Sequence, residues 1–161
     1  MPTLLVVHHS PTASVQRLTD AVVAGAGDDA IEGVDVIVKP ALTATADDVL
    51  AADGYLLGTP ANFGYMSGAL KHFFDSLFLE IGGSLSDDGS ATTAAGGKRP
   101  FGLYVHGRYD TTGAVRSVLS IVGALSWRQA AGTLEVLGDV GEADLERAYE
   151  LGGTLAALVA G

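Results

Sequence analysis

The sequence predicts a three-layer α/β domain built on a five-stranded parallel sheet, and three observations carry that expectation. Short apolar runs alternate with helical patterns about five times along the 161 residues. The runs are apolar on both faces, as strands covered by helices on each side must be. The chain has the length of one ordinary domain and no internal repeat, so residues 1–161 read as a single domain.

The first expected strand is Leu4–Val7, and Val15, Leu18, Val22 and Ala26 then recur at helical spacing. Val34–Val38 reads as the second strand, and Thr45 with Asp48 marks the start of a short helix over Thr45–Ala52. The third strand is Tyr55–Leu57, followed by Met66, Leu70, Phe73, Phe74, Leu77 and Ile81 on one helical face, which reads as core. Phe101–Val105 is the fourth strand, and Val115, Val118, Leu119, Val122 and Leu125 form the helix after it. Thr133–Leu137 is the last strand. The terminal helix carries Leu145, Ala148, Tyr149, Gly152, Leu155, Ala156 and Val159, with Asp139 and Glu142 placed as a capping box. Lys71 and Asp75 lie one turn apart and read as a solvent-exposed pair. Trp127 is expected at an edge or subunit interface, and His72 on the surface or at an interface. Gly82–Gly97, rich in Gly, Ser, Ala and Thr, reads either as a disordered connector or as a lid.

Composition removes whole classes of chemistry. With no cysteine there is no disulfide, thiolate nucleophile or cysteine-held metal. The four histidines lack ligand spacing, so no metal site is expected. A net charge of −10 argues against nucleic acid and anionic membranes as partners. No run of 18 apolar residues occurs, and the start Met1-Pro2-Thr3 lacks a basic n-region, so a cytoplasmic protein is expected. There is no G-x-G-x-x-G. Gly97-Lys98 is not a Walker A loop, and Gly64–Gly68 has its serine one place too late for a nucleophile elbow.

In open α/β sheets, ligands bind beyond the carboxyl ends of the strands, where strand order reverses. In a 2-1-3-4-5 order that point lies between strands 1 and 3. After strand 1 come His8-His9-Ser10-Pro11-Thr12-Ala13-Ser14-Val15, three hydroxyls before a helix N-terminus. Free N–H groups and the positive dipole end there suit a phosphate, although Thr12 or Ser14 as a plain helix cap explains the same residues. After strand 3 come Gly58-Thr59-Pro60-Ala61-Asn62-Phe63-Gly64, a loop suited to a planar ring. After strand 4 come His106-Gly107-Arg108-Tyr109, again polar and aromatic. A receiver domain would need acidic residues after strand 1 and Asp after strand 3, where His8-His9 and Thr59 stand, so that reading is rejected.

The stretch from Gly58 through Met66-Ser67 to Leu70-Lys71 and Asp75 resembles the signature G-[ST]-P-x-y-x-x-x-[MP]-[ST]-x-x-[LM]-K-x-[FL]-x-D of flavodoxin-like NAD(P)H-dependent FMN reductases and quinone reductases. Lys98 and Glu150-Leu151-Gly152 also match the group. The resemblance implies a flavodoxin-like three-layer sandwich with a sheet in the order 2-1-3-4-5. It implies non-covalent FMN, with NADH or NADPH as co-substrate and a quinone, flavin or similar small molecule as acceptor. Carried over by position, Ser10, Thr12, Ala13, Ser14 and Val15 would hold the phosphate. Thr59, Pro60, Ala61, Asn62, Phe63 and Gly64 would contact ribityl chain and ring, and His106, Gly107, Arg108 and Tyr109 would form a third wall. No side chain is expected to act as general acid or base, because the chemistry belongs to the flavin. A homodimer or homotetramer is implied. The other reading is a flavodoxin-type electron carrier without NAD(P)H turnover.

Overall fold

The computed structural model describes residues 1–82 and 98–161, together with the backbone of 84–85 and 91–92. Strand β1 (Thr3–His8) leads to helix α1 (Ala13–Ala26), β2 (Asp35–Pro40) and the short α2 (Ala46–Ala51). Then follow β3 (Gly54–Asn62), α3 (Gly68–Leu77), β4 (Pro100–Gly107), α4 (Thr112–Ala124), β5 (Leu134–Leu137) and α5 (Glu142–Ala160). These strands are all parallel, in the expected order β2-β1-β3-β4-β5. Tyr65–Met66 folds back antiparallel on β3, and Arg128–Gln129 adds a short parallel piece beside Pro100–Phe101. Ser84–Leu85 and Ala91–Thr92 pair antiparallel. The question of a connector or a lid over Gly82–Gly97 lies almost wholly outside the described residues. Among the described residues no helix is long and apolar enough to cross a membrane.

The period-two alternation of the strands divides the core. Leu5, Val7, Tyr55, Leu57, Leu103 and Val105 face α3 and α4, where Leu70, Phe73, Phe74, Val118 and Val122 pack. Leu4, Val6, Leu56, Tyr104 and Val136 face α1 and α5, meeting Leu18, Val22, Ala148, Leu151 and Leu155. Trp127 is buried and stacks on Tyr55 with centroids 3.9 Å apart, so it closes the α3/α4 layer next to the edge piece Arg128–Gln129. Helices α1 and α5 touch backbone to backbone: a Cβ on Gly152 would lie 1.9 Å from the Val22 carbonyl oxygen, and one on Gly25 1.9 Å from that of Tyr149. Only glycine permits that approach.

Three elements depart from the sequence expectation. Strand β3 extends to Asn62 because Gly58, Thr59 and Pro60 continue the ladder against Tyr104, Val105 and His106. Helix α3 begins at Gly68, not Met66, because the Ser67 hydroxyl caps it by accepting from the Leu70 N–H at 3.1 Å. The capping box expected from Asp139 and Glu142 is not formed. Gly138, at φ 78°, turns the chain after β5 and delays the helix; Gly141 is its N-cap and donates its N–H to Asp144 Oδ2 at 2.9 Å. Asp139 instead pairs with Arg108 at 3.1 Å. The box of Thr45 and Asp48 at α2 and the Lys71–Asp75 pair at 2.6 Å are both present, and His72 is exposed.

Candidate functional site

The carboxyl ends of β1, β3 and β4 lie side by side. His8 registers with Gly58, the His9 N–H donates to the Gly58 carbonyl at 3.0 Å, and Pro60 registers with His106. The chain turns to α1 on one face after β1 and to α3 on the other after β3, so the strand order reverses here.

At the β1 end, Thr12 is the N-cap of α1 and its Oγ1 accepts from the Val15 N–H at 3.3 Å. Both readings of this segment therefore meet on one residue: Thr12 caps the helix, and the first amides of the helix stay open. Among the described residues no acceptor meets the N–H groups of Ser10, Thr12, Ala13 or Ser14. Four unpaired donors at the positive end of a helix, with the hydroxyls of Ser10, Thr12 and Ser14, form a donor set that fits an anion. Val15 offers neither side chain nor amide to such a ligand, since its side chain is fully buried and its N–H serves Thr12. His9 Nδ1 is buried and has no hydrogen-bond partner among the described residues.

At the β3 end, Phe63 and Gly64 form a two-residue hairpin turn, both at positive φ (52° and 79°). That is the backbone of a primed turn, which right-twisted strands favour but which a phenylalanine occupies at a cost. Phe63 is also 109% exposed, and Tyr109 on the β4 loop is 89% exposed. Ala61, Phe63, Gly64, Arg108, Tyr109 and Asp110 line one open cleft of ≈ 420 Å³. Two solvent-exposed aromatics on facing loops are an apolar surface without a protein partner, as expected where a flat ring ligand docks.

The other expected ring contacts serve the fold with their side chains. Thr59 is fully buried; its Oγ1 donates to the Pro60 carbonyl at 2.8 Å and accepts from the Ser67 N–H at 2.9 Å, fixing the hairpin. His106 Nε2 hydrogen-bonds the Gly138 carbonyl at 2.7 Å, which ties β4 to the turn after β5. Asn62 is exposed beside the turn, and Gly107 packs against Ala61. Asp110 lines the cleft without having been singled out as a contact. Its Oδ1 accepts the Thr112 N–H at 3.0 Å, and hydrogen bonds from the Thr112 amide and side chain, with the Thr111 amide, hold its carboxyl below the usual carboxylate range.

Solved structures share this architecture. A flavodoxin from the domain Archaea superimposes with a TM-score of 0.79, over 98% of this chain and 98% of its own, at 15% identity. A WrbA-like flavodoxin of Agrobacterium tumefaciens gives 0.71 over 99% and 98% at 19% identity. An azoreductase of Bacillus anthracis str. Sterne gives 0.70 over 98% and 100% at 13%. These define the class of the molecule as a flavodoxin-like α/β sandwich. A flavodoxin of Aquifex aeolicus (strain VF5) is 34% identical over 85 residues, which span 53% of this chain and 45% of that protein. The model of the NADPH-dependent FMN reductase family matches residues 8–134, and the chain belongs to that family.

Proposed function

We propose that this chain holds FMN with its phosphate at the N-terminus of α1 and its ring in the cleft between Phe63 and Tyr109, and uses it to pass reducing equivalents from NADH or NADPH to a quinone, a flavin or a similar small acceptor. The observation that carries this reading is the pair of exposed aromatics on the β3 and β4 loops, one of them held at positive φ, beside a helix N-terminus with open amides. Bound FMN supplies the electron-transfer chemistry.

The residues of the chain bind, orient and shield. The amides of Ala13 and Ser14 and the hydroxyls of Ser10, Thr12 and Ser14 are the neutral donors that take the phosphate. Phe63 and Tyr109 cover the ring and keep water from it, while the Asn62–Gly64 turn presents its amides to the ring edge. Arg108 lines the same cleft, with its charge partly balanced by Asp139 at 3.1 Å.

A carrier reading is favoured by the partial match to a flavodoxin. One experiment separates the two. The protein loaded with FMN is titrated with NADPH in the absence of oxygen. Loss of the visible flavin absorbance within seconds supports the reductase. A loaded protein that keeps its absorbance under excess NADPH and NADH is a carrier. A protein that takes up no FMN has neither function.

A further inference from the structure

A chain of hydrogen bonds runs from the interior of the sheet to the phosphate loop. The Tyr104 hydroxyl bonds Thr19 Oγ1 at 2.7 Å, Thr19 Oγ1 bonds Ser10 Oγ at 2.8 Å, and Ser10 Oγ bonds His8 Nδ1 at 2.8 Å. Tyr104 is 0% exposed and Thr19 only 2%. Each hydroxyl has one hydrogen, so the direction of the chain is decided at its buried end. If His8 donated to Ser10, and each hydroxyl to the next, the Tyr104 O–H would be a buried donor with no acceptor among the described residues. The satisfied direction is the opposite. Tyr104 donates to Thr19 and Thr19 to Ser10, which leaves the one Ser10 hydrogen for a neutral His8 that accepts at Nδ1 in its Nε2–H tautomer.

In that tautomer the Ser10 hydrogen goes to His8 and does not serve an anion. Ser10 is freed when His8 Nδ1 carries a proton, in the neutral Nδ1–H tautomer or in the imidazolium, and a neighbouring dianion favours the imidazolium. Its oxygen then accepts from both Thr19 and His8, and its one hydrogen points to the ligand. We propose that His8 is the positioning residue of this site. Engagement of the FMN phosphate reverses the His8–Ser10 hydrogen bond and draws one proton from solvent onto His8, while Tyr104 and Thr19 hold the remainder of the chain in register. The balance is one proton taken from the buffer, one imidazole converted to imidazolium, and no covalent bond made or broken. The proposal rests on the placement of the phosphate at the α1 N-terminus.

The surroundings of His8 are consistent with such a change. The residues in register with it on β2 and β3 are Pro40 and Gly58, neither of which titrates. Burial and the neighbouring His9 lower its affinity for a proton, and Asp20 on α1 opposes them. In the free protein His8 is therefore neutral at pH 7.5, and a phosphate dianion beside it reverses the preference.

The test is calorimetric titration of the FMN-free full chain with FMN at pH 7.5, in two buffers of different ionisation enthalpy. At that pH the phosphate, with a second pKa of about 6, is already almost fully dianionic and contributes little proton exchange of its own. The wild type is expected to take up close to one proton per FMN, and His8→Asn close to none. Riboflavin, which lacks the phosphate, is expected to bind without uptake. Tyr104→Phe removes the buried donor and is expected to weaken FMN about fivefold with the fold intact. FMN binding to the wild type without net uptake, or with the same uptake in His8→Asn, overturns the proposal and leaves the FMN reading standing. Unchanged FMN affinity in Tyr104→Phe overturns the role of the buried end. No FMN binding by the wild type overturns both readings.

Discussion

Replacing Thr12 by Asp separates capping from ligand binding on a single residue. Asp caps a helix as well as Thr does, so the bond now made by Thr12 Oγ1 to the Val15 N–H at 3.3 Å is retained and stability changes by no more than about 0.5 kcal/mol. The ligand meets a negative charge where a hydroxyl stood. A unit charge about 4 Å from another interacts with about 1 kcal/mol in bulk water and about 4 kcal/mol at an effective dielectric of 20. Thr12 is exposed, so the lower figure applies, and a phosphate dianion doubles it to about 2 kcal/mol. Loss of a hydrogen bond to a charged group adds about 2 kcal/mol. Together these weaken FMN about a thousandfold. The assay is fluorescence titration of FMN-free protein with FMN, with riboflavin as the control that lacks the phosphate. Thr12→Asn keeps the cap without the charge and falls between wild type and Thr12→Asp. If Thr12→Asp binds FMN within threefold of wild type while its melting temperature is unchanged, the phosphate does not sit at α1.

Three further outcomes follow from the same geometry. Phe63→Gly removes a side chain from positive φ, so it is expected to raise stability by about 1 kcal/mol while weakening the flavin by about 1 kcal/mol of lost stacking; paired melting and FMN titrations check both signs. Gly152→Ala places a Cβ against the Val22 carbonyl and is expected to cost about 3 kcal/mol or more, read from urea unfolding, because backbone cannot move aside as a side chain can. Free of FMN, the protein should lose stability as pH falls through about 6.5, because burial lowers the folded pKa of His8 and the unfolded chain takes its proton first. The loss is confined to the window between the unfolded value and the lower folded one. It is absent above that window, and chemical denaturation of His8→Asn across the range should show it diminished.

The fold was legible because it rests on local periodicities. The inner strands β1, β3 and β4 carry apolar residues on both faces, and α1, α3 and α4 each show an apolar stripe, so the element order and the covered parallel sheet follow from patterns a few residues long. The errors lie where a tertiary partner decides. The end of β3 at Asn62 depends on its pairing with β4, and the start of α5 depends on the turn at Gly138. The phenol of Tyr55 under Trp127 has no signature in sequence, since the two residues are far apart along the chain. The loops were likewise legible as places and less so as atoms. Position identifies Thr59, His106 and Val15 beside a site, yet only coordinates show their side chains tied to Ser67, Gly138 and the core. The chain from His8 to Tyr104 is the extreme case, because one of its links joins residues 85 positions apart.

A site for a dianion in a protein of net charge −10 requires that the acidic residues be remote or neutralised. Much of the charge is remote. Asp35 begins β2, Asp53 accepts the Thr3 N–H at the start of β1, and Asp28 follows α1, so these carboxylates sit at the opposite end of the sheet. A strand of six residues separates the two ends by about 20 Å, or about two Debye lengths in physiological salt. At the site end, Asp139 is paired with Arg108, and Asp48 is committed to the cap of α2. Asp20, two turns along α1, is the carboxylate felt at His8, and it acts in favour of a protonated imidazole. The same charge that repels a phosphate at long range therefore holds a cation for it at short range. On the proposed reading, a site built from hydroxyls, amides and a titratable histidine would bind an anion without a permanent cation.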